Sequence, residues 1–497
     1  MTGLFAGGRA HAACTDGQAP PIRSVQVIGS TLESNTLATA YAAQIGQPDT
    51  KTAHKAIAKS IAAAYEHSDI ALYDVSPRAA RQCGIVEIAV MEGHVADATV
   101  SGTLDPAVMR LIHRYLAAIT AERPLHISTL QRYVSLIREV AGVRSSVEFS
   151  QTQQPGAVRL VVTSAQSRGR LGYAIDNRGS EVVGTVQAQL FGSLYGVLQG
   201  GDQLDASVIA TQYPKRLLGL SASYSAPLGS AGTRWSISVG RSRTELAEYY
   251  YGSDTTVIVG NLGLPIVRSY STNASIGVDL RHSVGRTEFF GYELLTARGW
   301  SIGPTASFGT ATRRSEVAIS VTSSIGALRR SSEFVYLTPV RKNRRVTAQA
   351  IVHRRVGQQV KLRVKGVAQF GTRNLPATEQ LGLGGSDFGR AFANGFVAGD
   401  SGYAISGEVA LRLGRKTNWA TMSNEAYAFI DGGHLTYHDP LSSIADSERL
   451  MSSGMGLRLG LGASTTLSVE AATGTARLFG TDKNYRRLSI GLKGAIL

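Results

Sequence analysis

From about Ser164 to the carboxyl terminus, apolar and polar residues alternate with a period of two, and no clear helical period interrupts them. Such alternation is typical of strands that present one face to an apolar phase and the other face to water. The 333 residues from 165 to 497 accommodate about sixteen strands at roughly 20 residues per strand and connection. The sequence therefore predicts a transmembrane antiparallel β-barrel, because an even, closed set of strands leaves no edge in the lipid.

The composition argues against the other classes of protein. The chain has 55 glycines and only 18% charged residues, which is not the composition of a disordered chain. It contains no run of about 18 uninterrupted apolar residues, so a membrane protein with this sequence must cross the bilayer with strands. The net charge of +15 is spread over the whole length, without a basic helix or an aromatic-basic motif. We therefore expect no nucleic-acid partner, and we expect these cations to face the barrel lumen and lipid headgroups.

Residues 22–164 have the pattern of two small α/β modules, 22–94 and 95–164. The second module reads strand, helix, helix, strand, strand, and the first follows the same order with helices over 37–45 and 53–65. Asp105 and Pro106 predict a helix start, and Ser128 with Gln131 predicts a capping box at the next helix. The first of these two helices carries an apolar stripe that consists of Val108, Leu111, Ile112, Tyr115 and Leu116.

Residues 1–21 are an N-terminal segment whose role stays open. The AHAA run before Cys14 is typical of a signal-peptidase site, but the preceding residues lack a basic n-region and a long apolar h-region. The segment is therefore either the remnant of a longer export signal or a short disordered tail. Cys14 and Cys83 are too few for a disulfide framework and too far apart for a zinc motif, and the sequence leaves their pairing undecided.

A glycine-rich loop that carries a single arginine precedes a strand at 403–413. Gly384, Gly385 and Gly389 permit tight backbone paths that are closed to other residues, and Arg390 follows them directly. A charge on so compressed a loop indicates a fixed partner. In the strand, one face carries Tyr403, Ile405, Gly407, Val409, Leu411 and Leu413, and the other carries Ala404, Ser406, Glu408, Ala410 and Arg412.

The chain resembles the transporters of two-partner secretion, the family of the haemolysin activator and the filamentous haemagglutinin transporter. The two modules look like POTRA modules, and the segments GYAIDNRGS and YSAPLGSAGTRWSISVGRS are similar to the family's barrel. The family's loop signature is Gly-Gly, four residues, then Arg-Gly-Tyr/Phe, and its later strand motif is Phe-x-Asp-x-Gly. The loop signature is filled by Gly384, Gly385, Arg390, Ala391 and Phe392, and the strand motif by Phe429, Asp431 and Gly433. Ala391 departs from the signature, since the family has a glycine there.

The resemblance implies two periplasmic POTRA modules followed by an outer-membrane barrel of about 16 strands. It implies that the POTRA modules capture a large unfolded exoprotein, which then passes through the barrel to the cell surface. The loop would lie in the lumen, with a charge-assisted bond, either single or bidentate, between Arg390 and Asp431. Other implied partners are outer-membrane lipid and, during biogenesis, the outer-membrane assembly machinery. The pore-plugging helix common in the family is not recognisable, and the last residues are Ile496 and Leu497 instead of an aromatic residue.

No catalytic residue, cofactor or metal site is predicted. The chain has no G-x-S-x-G elbow, no H-E-x-x-H and no P-loop, and we expect His434 and His438 in a strand-to-loop region instead of a helix. Asp176 and Asn177 are expected at a strand end or turn. Two other functions remain open: an outer-membrane assembly factor, which usually has more than two POTRA repeats, and a non-specific porin, which needs none.

Overall fold

A computed structural model of the chain describes residues 19–78, 82, 84–332, 340–372, 375–414, 424–438, 445–478 and 480–496. The chain divides into two compact units, one that holds most residues up to 165 and one that holds 166–497. Cys14 and Cys83 lie outside the described residues, as does most of the N-terminal segment 1–21, so the predictions for them stay open.

The first α/β module has the order strand, helix, helix, strand, strand. Its elements are β1 (Ser24–Ile28), α1 (Ser34–Tyr41), α2 (Lys51–Glu66), β2 (Tyr73–Pro77) and β3 (Ile85–Glu92), with a single 3-10 turn at Ala42–Gln44. Strand β3 lies in the middle of the sheet, parallel to β1 and antiparallel to β2. Helix α2 covers the module's core with Ile57, Ile61 and Tyr65, all fully buried at helical spacing. The Thr50 side chain caps this helix by accepting the N–H of Ala53.

The second module repeats this order. Its elements are β4 (His94–Ser101), α3 (Pro106–Thr120), α4 (Ile127–Arg138), β5 (Val143–Gln151) and β6 (Ala157–Gln166), with β6 between β4 and β5 in the sheet. The five residues of the predicted apolar stripe on α3 are all buried.

The predicted capping box at α4 is wrong. His126 is the N-cap residue, and Ser128 lies within the first turn. The carboxylate of Asp69, from the first module, accepts the backbone N–H of Ser128 at 2.9 Å and its hydroxyl at 2.5 Å. A residue 59 positions earlier therefore satisfies the free donors at this helix end, which a local capping motif cannot reveal.

The second unit is a closed barrel of sixteen antiparallel strands. In chain order its elements are β7 (Gly169–Asp176), β8 (Gln187–Tyr195), β9 (Gln203–Thr211), β10 (Leu218–Leu228), β11 (Thr233–Leu246), β12 (Tyr251–Arg268), β13 (Thr272–Phe289), β14 (Tyr292–Ala311), β15 (Ser315–Ser331), β16 (Arg341–Val356), β17 (Val360–Gly371), β18 (Leu381–Leu383), β19 (Val397–Gly399), β20 (Ser401–Leu413), β21 (Asn424–His438), β22 (Ala445–Leu461), β23 (Thr465–Leu478) and β24 (Thr481–Ala495). Strands β18 and β19 form a separate two-stranded ribbon, and the others form the barrel, which closes where β24 pairs with β7.

The barrel strands separate an apolar outer face from a polar inner face. In β20, the outward Ile405 and Val409 are 60% and 53% exposed, whereas the inward Ser406 and Glu408 are 2% and 4% exposed. The predicted alternation in this strand is confirmed, and with it the predicted fold class of two α/β modules and a sixteen-strand barrel. Many strands exceed the ~10 residues that span a bilayer, and β14 reaches 20 residues.

None of the helices in the described part of the chain is both long enough and apolar enough to cross a membrane.

The two ends of the barrel differ in their connections. At the end where β7 begins and β24 ends, here called the turn end, several strands are joined by three residues, as at 312–314 and 357–359. At the opposite end, here called the loop end, β17 and β20 are joined by residues 372–400. This long connection contains the glycine-rich signature.

Candidate functional site

The connection between β17 and β20 folds as a hairpin that packs on the inner wall of the barrel. We call residues 375–400 the lumen hairpin; its stem is the β18–β19 ribbon, and its tip is the glycine-rich loop between them. Phe392 at the tip is 1% exposed and belongs to a buried cluster that includes inward residues of β20, β21, β22 and β23. The signature loop therefore lies against the barrel interior.

The glycines of the signature are required by the backbone of the tip. Gly384, Gly385 and Gly389 have φ values of +108°, +99° and +86°, a region that other residues rarely adopt. A side chain would also collide with the loop, since a Cβ on Gly384 would lie 2.2 Å from the carbonyl oxygen of Ala393. The N–H of Gly384 donates to the carbonyl of Phe388 at 2.8 Å. These constraints fix the direction in which the next side chain, Arg390, leaves the loop.

Arg390 is buried among acidic groups of the barrel wall, with only 6% of its surface exposed. Its Nη1 donates to Oε2 of Glu408 on β20 at 2.8 Å and to Oε2 of Glu470 on β23 at 3.3 Å. The guanidinium carbon also lies 4.2 Å from the ring centre of Phe429 on β21, within cation–π range. Three strands therefore hold one side chain of the hairpin.

Asp431 binds the backbone of the hairpin instead of forming a bidentate bond with Arg390. Its Oδ1 accepts the N–H groups of Gly389 at 2.7 Å and Arg390 at 3.3 Å, together with the hydroxyl of Ser452. The Arg390 Nε and Asp431 Oδ2 atoms are 3.4 Å apart, and neither atom has a hydrogen-bond partner in the described part of the chain. The two residues form an ion pair, but the guanidinium directs its hydrogen bonds to the two glutamates.

The three residues of the strand motif on β21 have three separate contacts with the hairpin. Phe429 lies under the Arg390 guanidinium, and Asp431 accepts the backbone of the tip. Gly433 leaves room for the stem, because a Cβ there would be 2.7 Å from Cδ1 of Leu383. Since alternate residues of a strand share one face, a Phe-x-Asp-x-Gly motif presents all three groups to the lumen.

Glu408 is the centre of a wider charge network that the motifs did not reveal. Besides Arg390, it accepts hydrogen bonds from Arg363 on β17 at 2.5 Å and from Arg458 on β22 at 2.7 and 2.8 Å. Arg363 also binds Glu425, and Arg178 binds Glu470 at 2.7 Å. The period-two pattern placed Glu408 on the inner face, but its partners come from separate strands and only the barrel closure brings them together.

Ala391 fits because the facing wall has no side chain. A Cβ on Gly474 of β23 would lie 2.8 Å from the Ala391 Cβ and 3.1 Å from a ring carbon of Phe392. Phe392 in turn packs against Phe396 and Tyr485, with both ring centres at 5.0 Å. The alanine that departs from the family signature is thus accommodated by a glycine on the opposite surface.

The base of the hairpin is held by a different part of the wall. Glu379 is 2% exposed; its Oε1 accepts the Ser301 hydroxyl of β14 at 2.8 Å, and its Oε2 lies 3.7 Å from Nε of Arg345 on β16. The two ends of the hairpin are also joined at this base, since the carboxylate of Asp400, its last residue, accepts the N–H of Leu375, its first residue, at 3.0 Å. Base and tip are therefore attached to different strands.

The remaining polar residues singled out in the sequence lie in strands or at strand ends. His434 lies in β21 and His438 is its last residue, a strand position as expected, and residues 439–444 lie outside the described part of the chain. Asp176 is the last residue of β7, and Asn177 follows it, as expected. The chemistry that this site supports is charge-compensated fixation of a loop, since its carboxylates face guanidinium groups and backbone N–H donors.

A family model and several solved structures match this chain. The model of the haemolysin secretion/activation protein family ShlB/FhaC/HecB matches residues 156–459, more than half of the chain. CdiB from Escherichia coli has a TM-score of 0.75 and 17% identity, over 98% of this chain and 93% of that chain. CdiB from Acinetobacter baumannii has a TM-score of 0.67 and 14% identity, over 99% and 93%. BamA from Haemophilus ducreyi lacking POTRA domains 1–3 has a TM-score of 0.50 and 14% identity, over 96% and 100%.

At these identities the solved structures indicate a shared fold. No curated protein sequence matches the chain significantly.

Proposed function

The chain belongs to the haemolysin secretion/activation family ShlB/FhaC/HecB, a family of two-partner secretion transporters of the outer membrane, and we propose that it exports one large exoprotein. In this proposal the two amino-terminal modules lie in the periplasm and capture the exoprotein while it is unfolded. The barrel then carries it to the cell surface. The family is one of secretion pores, and we propose no enzymatic activity for this chain.

The attachment of Arg390 to Glu408 is the observation that carries this proposal. A sixteen-strand barrel is wide enough to enclose an aqueous interior, and here the lumen hairpin occupies part of that interior. An extended chain can pass only beside the hairpin or after the hairpin moves. The network around Glu408 supports a role for the hairpin as a fixed wall or gate of the path, because it holds the tip at a defined place.

Capture of the exoprotein is proposed to use the sheets or helices of the modules. Each module has a three-stranded sheet, in the orders β1-β3-β2 and β4-β6-β5. The outer strands of such sheets can pair with an extended peptide by strand addition. A groove beside a module helix is the alternative, and a purely structural spacer role is the third possibility.

The second candidate is an outer-membrane assembly factor. The similarity to the fold of BamA from Haemophilus ducreyi favours it, since the same architecture would then insert barrel proteins instead of exporting an exoprotein. A non-specific porin is a third candidate, and it would neither export an exoprotein nor insert barrel proteins.

The proposal is tested by deleting the chain in its native host and comparing the secreted and outer-membrane proteomes. Loss of one large protein from the medium, with other barrel proteins unchanged, supports a dedicated exporter and identifies the client. Broad loss of barrel proteins points to an assembly factor, and unchanged proteomes would contradict both. Complementation with Arg390→Ala should restore barrel levels but not secretion, whereas the matched Asp387→Ala should restore both. Normal secretion by Arg390→Ala at normal surface levels would refute the role of the hairpin.

A further inference from the structure

The outer face of β14, β15 and β16 changes from apolar to cationic close to the loop end. In β14 the outward positions read Arg298, Trp300 and Ile302 from the loop end downward, and all three are exposed. In β15 Arg329 follows the outward Ile325, and in β16 Lys342 and Arg344 precede the outward Val346. We call Arg298, Arg329, Lys342 and Arg344 the outer cation patch.

The cations of the patch lie next to one another on the barrel surface. Arg298 and Arg329 are directly opposite in the β14–β15 pairing, and Lys342 and Arg344 are opposite Ala327 and Ile325 in the β15–β16 pairing. Directly opposed residues have Cβ atoms about 5 Å apart, and like charges in that arrangement destabilise the pairing. The sequence nevertheless places two arginines there.

The patch lacks the carboxylates that balance other outward cations. Arg241 on β11 binds Asp254 on β12 at 2.6 Å, and Arg286 on β13 lies 3.3 Å from Glu293 on β14. None of the four patch side chains forms an ion pair with any residue in the described part of the chain. No acidic residue faces them in the strand pairing. Among the residues that the structure describes, the patch therefore has an excess of positive charge with no counter-charge.

We propose that the outer cation patch binds the phosphate groups of a phosphorylated glycolipid in the outer leaflet of the outer membrane. Guanidinium groups bind phosphate oxygens through paired N–H donors, so one phosphate between Arg298 and Arg329 removes their repulsion. The exposed Trp300 is next to Arg298 on the outer face of β14, and the exposed Ile325 is directly opposite Arg344. Apolar side chains therefore border the cations, as expected where acyl chains meet the headgroup boundary. A lipid satisfies both surfaces at once, whereas a free anion satisfies only the patch.

The choice of leaflet rests on the proposed function. Strand β7, which follows the amino-terminal modules in the chain, begins at the turn end. In that proposal the turn end faces the periplasm, so the loop end and the patch face the cell surface. The binding itself is a property of the barrel wall and is measurable without secretion. A failure of the export proposal would therefore not be mistaken for a failure of this one.

The test is equilibrium binding of fluorescent diphosphoryl lipid A to the purified full chain in neutral detergent micelles. Neutralisation by Arg298→Gln with Arg329→Gln should weaken binding at least tenfold. Arg354→Gln is the matched control, because Arg354 is also exposed on β16 but lies near the turn end, and it should leave binding unchanged. Arg298→Lys with Arg329→Lys should retain part of the affinity, since it keeps the charge but loses the planar fork. Heat-modifiable mobility on gels verifies that each variant barrel is folded.

Three results would overturn the proposal. Equal binding by the glutamine pair and the wild type would show that the patch is not the site. Equal binding of dephosphorylated lipid A by the wild type would show that the phosphates are not recognised. Complete release of the lipid by millimolar inorganic phosphate would show that a free anion suffices and that the lipid is not the specific ligand.

Discussion

Removal of the Arg390 side chain should release the tip of the lumen hairpin while the barrel stays assembled. Arg390 is almost fully buried and donates two hydrogen bonds to carboxylates, at 2.8 and 3.3 Å. Hydrogen bonds to charged groups contribute about 1.5–3 kcal/mol each, and the longer one belongs at the low end of that range. The contact with Phe429 adds about 0.5–2 kcal/mol.

The free-energy cost of this substitution is reduced because the carboxylates of Glu408 and Asp431 keep other hydrogen-bond donors. Glu408 keeps its hydrogen bonds to Arg363 and Arg458, so Arg390→Ala leaves no uncompensated carboxylate at that position. Asp431 keeps the N–H of Gly389 and the Ser452 hydroxyl. We therefore expect a net loss of about 3 kcal/mol in hairpin docking, which corresponds to roughly a hundredfold shift toward the undocked form.

Limited proteolysis with chymotrypsin measures this shift, since the hairpin contains Phe388, Phe392 and Phe396. When docking and undocking are fast, the cleavage rate follows the undocked population, and it should rise roughly a hundredfold in Arg390→Ala. The matched control is Asp387→Ala, which removes an ion pair between the exposed Asp387 of the same hairpin and Lys365 on β17. Such pairs contribute on the order of 0.5 kcal/mol, so the control should change the rate about twofold. Equal cleavage rates in the two variants would refute the conclusion that Arg390 holds the hairpin tip in place.

Three further substitutions test other parts of the fold. Gly474→Ala should destabilise the barrel wall and the hairpin tip by about 1–3 kcal/mol, because the new Cβ would meet the Met451 carbonyl oxygen as well as Ala391; a normal chymotrypsin rate would contradict this packing. Leu111→Ala should destabilise the second module by about 2–5 kcal/mol; pulse proteolysis of the full chain in urea should show earlier loss of that module, with the barrel fragment as internal reference. Asp202 lies in the turn between β8 and β9, and its burial raises the pKa of its carboxyl. The N–H groups of three turn residues and the Tyr224 hydroxyl donate to this carboxylate and outweigh the burial, so the pKa lies below its usual range. This stabilisation is complete above the unfolded pKa of about 3.9 and is lost as the pH falls through the lower folded value, so hydrogen exchange in the turn should accelerate in acid for the wild type but not for Asp202→Asn.

The sequence was informative wherever a short repeat determines a local surface. Alternation predicted which side of β20 faces outward, because neighbouring residues of a strand point to opposite faces. The apolar stripe on α3 predicted the buried side of that helix for the corresponding reason. Gly384, Gly385 and Gly389 indicated a compressed loop, and each has a backbone angle that favours glycine.

The sequence was least informative where partners lie far apart in the chain. The capping motif at Ser128 was wrong because Asp69, a residue of the other module, supplies the acceptor. Arg390 and Asp431 form an ion pair as expected, but not a bidentate one, because Glu408 and Glu470 approach the guanidinium from two other strands. Neither glutamate stands out in its own segment.

The sequence by itself determined the class of this protein, namely two α/β modules followed by a closed barrel with a glycine-rich loop. These properties follow from periodicity and backbone freedom, which act over a few neighbouring residues. Only the tertiary structure decided which charges surround Arg390, where the hairpin attaches, and which outward cations have no counter-charge among the described residues. Those contacts depend on the order and register of the strands, and closure of the barrel places residues side by side that are as far apart in the chain as Arg178 and Glu470.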